Sequence, residues 1–346
     1  MSRSKIIHFI VSLGLGALFL WLALRGTDFD KVWDALAGLR AGPLAVFVAL
    51  HLVVQVFRTM RYRHLVKPLG GISNYNCFMA GSVGAMAVSV LPFRLGDLVR
   101  PIVVNETENI PVAGAFGAVI GERILDGTLT GAILLSFVLI FREAMEIPRQ
   151  VVIISCLPIF FFSAGFTVML TNVLRPKLGV IVVQKTIGRF FPGAADFVSR
   201  LVQNFFGGFK AFADVRILAV FLFESILYWM LNAGTNTALF YAFGFVVEHA
   251  FALGVIMIGL QVVGMTIPGL PAGVGPFDYF TILSLTMVGF AKADAVAFAA
   301  VCHGALLAVT VGFGLIFLLT GQVSFSRLGR ALRDFADKAK PSQISD

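Results

Sequence analysis

Arg94, Asp97 and Arg100 stand three residues apart in the stretch 91–101, a charged segment set between apolar ones. On a helix that spacing puts both guanidinium groups and the carboxylate on one face, while Pro92 and Gly96 loosen the backbone beside them. Guanidinium groups grip phosphate oxygens in two-pronged fashion, so the chemistry on offer is oxyanion binding. A second group, Glu122, Arg123 and Asp126, lies well over two turns inside a long apolar segment, about 111–141. Charges at membrane depth cost several kcal/mol each unless paired. One ion pair would account for two of the three and leave an acid needing a partner, for which Arg94 and Arg100 are the candidates. Arg94, Arg100 and Arg123 balance Asp97, Glu122 and Asp126, which suits a buried network able to exchange one partner for a lipid phosphate. The competing reading is structural pairing, with 91–101 as a surface helix snorkelling its arginines to headgroups.

A proline and glycine cluster, Pro268, Gly269, Pro271, Gly273 and Gly275, runs into Asp278. Non-helical backbone at membrane depth survives only where protein or a wet cavity satisfies it, so the cluster faces a partner or a path unless it is an ordinary extramembrane loop. Glu224 and Tyr228 share a face of one apolar segment that also carries Asn232 and Asn236, and Gln261 and His303 interrupt two others. The asparagines read as helix-to-helix hydrogen bonds and His303 as a packed histidine, with Glu224, Tyr228, Gln261 and His303 as secondary site candidates. Cys77, Cys156 and Cys302 sit in apolar segments without a CxxC, so neither a disulfide framework nor a metal site is expected. Without HExxH, a phosphate loop or GxSxG, the chain reads as a non-enzyme with no cofactor.

The elements that must position these groups are membrane helices. The chain has 346 residues, 58% of them hydrophobic and 13% charged, with a mean hydropathy of +0.91. Apolar runs near the 20 residues needed to span a bilayer recur throughout, and runs such as 45–56 do not alternate as barrel strands do. The net charge of +8 gathers between apolar segments, as topology signals and lipid contacts, and does not point to nucleic acid. The basic residues at 58–67, 175–216 and 327–340 mark cytoplasmic loops, which an even number of crossings must separate. That parity makes 75–105 and 251–290 re-entrant hairpins entering from opposite faces. The expected fold is all-α and polytopic, with about six transmembrane helices and two re-entrant helical hairpins in an inverted repeat. Pro92 precedes Arg123 by 31 residues and Pro271 precedes His303 by 32, which matches the two copies. One transmembrane domain covers 1–320, with a cytoplasmic basic linker at 173–216 and a cytoplasmic basic tail at 321–346. Residues 6–24 read as a retained first helix, and residues 25–42 contain an interfacial helix with Trp33 near the headgroups.

Three ordered motifs carry a family resemblance: Pro92-Phe-Arg94-Leu-Gly96-Asp97-Leu-Val-Arg100, Glu122-Arg123-Ile-Leu-Asp126 and Pro271-Ala-Gly273-Val-Gly275-Pro-Phe-Asp278. Over most of its length the chain resembles the lysylphosphatidylglycerol synthase transmembrane family, also called flippase-like or UPF0104 proteins. That family includes the membrane half of the multiple peptide resistance factor, which moves aminoacylated phosphatidylglycerol between leaflets. Two departures stand out: Asp97 and Asp278 replace the family's usual Glu, and Ala272-Gly273 replaces a glycine pair. The soluble aminoacyl-transfer domain of the two-part members is not present in this sequence, so synthesis of lysyl lipid is not expected.

The resemblance implies translocation of a polar-headed, phosphate-containing lipid between leaflets. Arg94, Arg100 and Arg123 would bind the phosphate, and Asp97, Glu122, Asp126 and Asp278 would hold those arginines or a cationic headgroup moiety. Pro92, Gly96, Pro268, Gly269, Pro271, Gly273 and Gly275 would serve as hinges and close backbone approaches. The implied partners are membrane lipids: an anionic or aminoacylated phospholipid or a lipid-linked glycan, with a lipid-modifying enzyme as a further candidate. The implied location is the bacterial cytoplasmic (inner) membrane, with both termini cytoplasmic. The alternatives are an accessory protein for a lipid-modifying or glycosyl-transferring enzyme, and an ion-coupled small-solute transporter. The sequence leaves the oligomeric state open.

Overall fold

A computed structural model of the chain describes residues 3–91, 96–175, 177–186, 192–267 and 270–321. Pro92, Arg94, Pro268 and Gly269, and all but the first residue of the 321–346 tail, lie outside them. Every regular element among the described residues is helical. The first half contains α1 (Arg3–Leu24), α2 (Phe29–Ala37), α3 (Ala41–Met60), α4 (Tyr62–Val66), α5 (Asn74–Val90), α6 (Gly96–Glu108) and α7 (Val112–Phe141). The second contains α8 (Arg149–Leu174), α9 (Leu178–Thr186), α10 (Pro192–Gly207), α11 (Val215–Ala242), α12 (Ala250–Thr266), α13 (Pro276–Thr286) and α14 (Lys292–Leu319). Five helices are long and apolar enough to cross a membrane: Ala41–Leu69, α7, α8, α11 and α14. The sixth expected span corresponds to α1, whose described apolar part, Leu13–Leu24, is shorter. Outward-facing rings such as Phe160 and Phe161 of α8 suit a lipid surface.

Local sequence sets the helix ends. Asp28 caps α2 by accepting from the Lys31 backbone N–H, and that bond holds its carboxyl below the usual range. Val32 is buried and Trp33 exposed on the same short helix, so its two faces differ. Leu91, with extended backbone before Pro92, ends α5. Ile267 ends α12 in the same way.

The two interrupted segments fold back on themselves. α5 and α6 pack side by side, so closely that a Cβ on Gly96 would lie 2.1 Å from the backbone nitrogen of Val88. The Glu108 carboxylate, at the end of α6, accepts from the Ser73 backbone N–H (3.0 Å) and the Asn76 amide (2.9 Å) at the start of α5. Those bonds also hold the Glu108 carboxyl below its ordinary range. α12 and α13 form the second hairpin, whose ends meet where the rings of Phe245 and Phe290 lie 4.5 Å apart. Each hairpin therefore begins and ends on one face of the bundle.

Those faces are opposite. α3 and α11 pack against each other antiparallel: Arg61, just past α3, reaches Ser225 near the start of α11, while the Arg40 N–H donates to the carbonyl of Ala242 at its end. The first hairpin follows α3 and the second follows α11, so they enter from opposite ends. Each is then gripped by the other half, α5 by α14 and α12 by α7, and α5 also touches the 3-10 turn Pro271–Gly273 between α12 and α13.

The basic segment 173–216 is more than a linker. Phe209 and Phe212, after α10, are buried against a glycine face of α7, where a Cβ on Gly117 would lie 1.9 Å from the carbonyl oxygen of Phe205. Packing of helices in lipid relies on such small-residue faces, because lipid tails supply no hydrophobic drive between helices.

Candidate functional site

At the end of α3 a charged cluster is built around Arg61, which sequence reasoning left in a cytoplasmic loop. Arg61 is only 3% exposed and clasps both oxygens of Asp126 with its two terminal nitrogens. It also lies 3.2 Å from Glu122 and 3.0 Å from the Ser225 hydroxyl. Asp126 is thus served by Arg61, because α4 continues the line of α3 into the bundle instead of leaving it, while Glu122 takes Arg100, one of the two partners expected for an acid on this helix. The guanidinium lies over the Tyr228 ring at 4.4 Å, which places Tyr228 in the cluster.

Arg100 and Arg123 come from different helices and take different acids. Arg100 on α6 donates to Glu122 on α7 at 2.8 Å and to the carbonyl of Thr59 at 3.1 Å, and it stacks 3.7 Å from the Tyr62 ring centroid. Gly84 on α5 makes room for it, since a Cβ there would meet the Cβ of Arg100 at 2.7 Å. Asp97 pairs with Arg123 at 3.0 Å, with the Arg123 side chain 46% exposed. Asp97, Arg100, Glu122, Arg123 and Asp126 are therefore brought together as expected.

Arg58 is the second residue the sequence reading missed. It is half-buried on α3, within electrostatic range of Arg100, Arg123, Glu122 and Tyr228, and it makes no hydrogen bond or ion pair among the described residues. A signal was present: His51, Gln55 and Arg58 are spaced by four and three along an apolar helix, so they share one polar face.

Asp278 does not join this cluster. It folds back on its own turn, accepting from the Gly275 backbone N–H at 2.9 Å, and pairs with Nδ1 of His303 at 2.7 Å. Gly273 and Gly275 adopt φ of +80° and +96° in that turn, which favours glycine, while Ala272 takes +63° where the family's usual pattern has another glycine. Pro271 begins the same turn. Gln261 lies 3.5 Å from the Asn236 amide and donates to Thr281 (3.1 Å), with Cys302 completing the circuit. Glu224 stands apart, taking Arg63 at 3.3 Å and His64 at 3.2 Å. Among the described residues no His, Cys, Asp and Glu group is placed to hold a metal ion.

Among the described residues the arrangement sets fixed guanidinium groups beside carboxylates that neutralise them, with the Arg58 guanidinium left over. Comparisons with known proteins fit a membrane role. The chain is 23% identical to the glycosyltransferase AglD of Haloferax volcanii over 92% of its own length and 55% of AglD, so it spans about half of that relative. It is 24% identical to the UPF0104 membrane protein MJ1595 of Methanocaldococcus jannaschii, over 83% of this chain and 87% of that one. No solved structure matches. The family model described as the lysylphosphatidylglycerol synthase TM region matches residues 9–314, and the chain belongs to that family.

Proposed function

We propose that the chain moves a phosphate-bearing lipid headgroup between membrane leaflets. In this reading the two hairpins are re-entrant, the four-helix units α3, α5, α6, α7 and α11, α12, α13, α14 form an inverted repeat, and six helices span the membrane. The observation that carries it is Arg58. Among the described residues the cluster holds four guanidinium groups, on Arg58, Arg61, Arg100 and Arg123, against three carboxylates, on Asp97, Glu122 and Asp126. An excess cation at membrane depth is costly unless an anion neutralises it, and a lipid phosphate is the anion a bilayer supplies. Arg123, the most exposed member, would meet the phosphate first and give up Asp97 to do so. The reaction breaks no covalent bond, so no catalytic group is assigned.

The test is a leaflet-exchange assay in proteoliposomes with acyl-labelled phospholipid. Exchange should require the protein and fall in Arg58→Gln and Arg123→Ala. Unchanged exchange in both folded variants would falsify the phosphate role. A second reading draws on AglD, which is named as a glycosyltransferase and of which this chain covers about half. Here the chain would be the lipid-handling partner of a glycosyl-transferring enzyme, and it would co-purify with that enzyme at fixed stoichiometry.

A further inference from the structure

The two halves place corresponding residues in register. In the first hairpin Asp97 is followed three residues later by Arg100; in the second Asp278 is followed three residues later by Thr281. On the next long helix, Glu122 and Arg123 are adjacent in the first half, as are Cys302 and His303 in the second. The contacts correspond as well: Asp97 pairs with Arg123, and Asp278 pairs with His303. Both halves tie their four helices with polar bonds. The first uses Thr59, Cys77, Arg100 and Glu122, and the second uses Asn236, Gln261, Thr281 and Cys302.

The two sites differ in charge. The pair on the second side has no fixed cation, and its imidazole is 95% buried, tilted against the Phe277 ring at 4.6 Å. His303 Nδ1 lies 2.7 Å from an Asp278 oxygen, while Nε2 is buried with no partner among the described residues. A carboxylate only accepts, so Nδ1 carries the proton, and in the imidazole tautomer with Nδ1 protonated the other nitrogen, Nε2, is the acceptor. The chemical complement of that lone pair is an N–H or O–H donor.

We propose that Asp278 and His303 form a second headgroup half-site, selective for a hydrogen-bond donor beyond the phosphate. Its ligand is a hydroxyl or ammonium group of the same lipid that the arginine cluster takes by its phosphate. α5 connects the two half-sites, abutting Arg100 through Gly84 and packing against both α14 and the turn that precedes Asp278. The headgroup meets the arginines and His303 in succession as it passes. This inference rests on the lipid-transport reading, and buried polar groups that a wrong ligand leaves unpaired are the general source of such discrimination.

The experiment compares four acyl-labelled lipids in proteoliposomes: phosphatidylglycerol, phosphatidylethanolamine, phosphatidylcholine and phosphatidic acid. The first two carry a donor beyond the phosphate and the last two do not. Wild-type protein should exchange one or both of the first pair at least tenfold faster than the second pair. A fast glycerol lipid assigns a hydroxyl ligand, and a fast ethanolamine lipid assigns an ammonium. His303→Asn keeps an amide at the Nδ1 position to bond Asp278 and lacks the Nε2 acceptor. It should lower the fast lipids to the phosphatidylcholine rate, whereas Arg123→Ala should slow all four. Equal wild-type rates, or discrimination surviving in His303→Asn, would overturn the proposal. If no lipid moves, the transport reading fails by itself. The ratio of phosphatidylglycerol to phosphatidylcholine retained by native mass spectrometry then decides this one, expected to drop in His303→Asn and overturning the half-site if it does not.

Discussion

Arg61 clasps Asp126 across 65 positions of the chain, one terminal nitrogen to each carboxylate oxygen, and its flank leans on Glu122. The pair joins the end of α3 to the middle of α7 with almost no exposure. Deleting one partner strands a charge, which costs about 3–5 kcal/mol in a buried pair, whereas replacing both with apolar groups is far milder. Arg61→Met should therefore destabilise strongly, and Arg61→Met with Asp126→Leu should recover much of the loss. Scanning fluorimetry in detergent reads the order; a double variant less stable than the single would count against a simple buried pair.

Arg58 should behave in the opposite manner. It has no partner to strand and is repelled by Arg100 and Arg123, so Arg58→Gln should not destabilise the empty protein and should leave it as stable or more so. Its loss should remove one charge-assisted hydrogen bond to the phosphate, about 1.5–3 kcal/mol, and slow lipid exchange roughly ten- to a hundredfold. Measuring unfolding and exchange on the same preparation separates the two effects.

The contrast between these arginines marks what the sequence made legible. Asp97, Arg100, Glu122, Arg123 and Asp126 were readable because acids and arginines inside apolar runs are expensive and have few reasons to be there. The ends of α5 at Leu91 and of α12 at Ile267 were readable from Pro92 and the 268–276 cluster, since helix breakers in apolar segments have few other uses. Arg58 and Arg61 were hidden because basic residues near the end of a span are the ordinary sign of a cytoplasmic loop, and nothing local says that α4 continues α3 inside the bundle. The pairing of His303 with Asp278 depends on helices 25 residues apart in sequence, so only the packing reveals it. The burial of Phe209 and Phe212 against Gly117 and Gly121 was hidden by the many basic residues around them.

The opposite entry of the two hairpins makes a labelling prediction. Cysteines at Lys67 and Glu106, before and after the first hairpin and both exposed, should react from one side of the membrane. Cysteines at Val246 and Ala291, flanking the second, should react from the other side. Cys156 is exposed and must first be replaced, while Cys77 and Cys302 are buried. Labelling of positions 67 and 106 from opposite sides would turn the first hairpin into a full crossing.

Gly84 controls how closely the first hairpin closes on its arginine. A Cβ there would come within 2.7 Å of the Arg100 Cβ and 3.3 Å of its Cα, and the latter cannot swing away. Gly84→Val should push α6 outward and draw Arg100 from Glu122 and from the Thr59 carbonyl, costing about 1–3 kcal/mol as overpacking does. Because Glu122 also leans on Arg61, the disturbance should reach the site, and lipid exchange should fall with stability. Gly312 on α14 is the control: it has open space around it, so Gly312→Ala should gain helix propensity, by about 0.4–1 kcal/mol, and leave exchange intact. If Gly84→Val keeps wild-type exchange, Arg100 does not need its present position for transport.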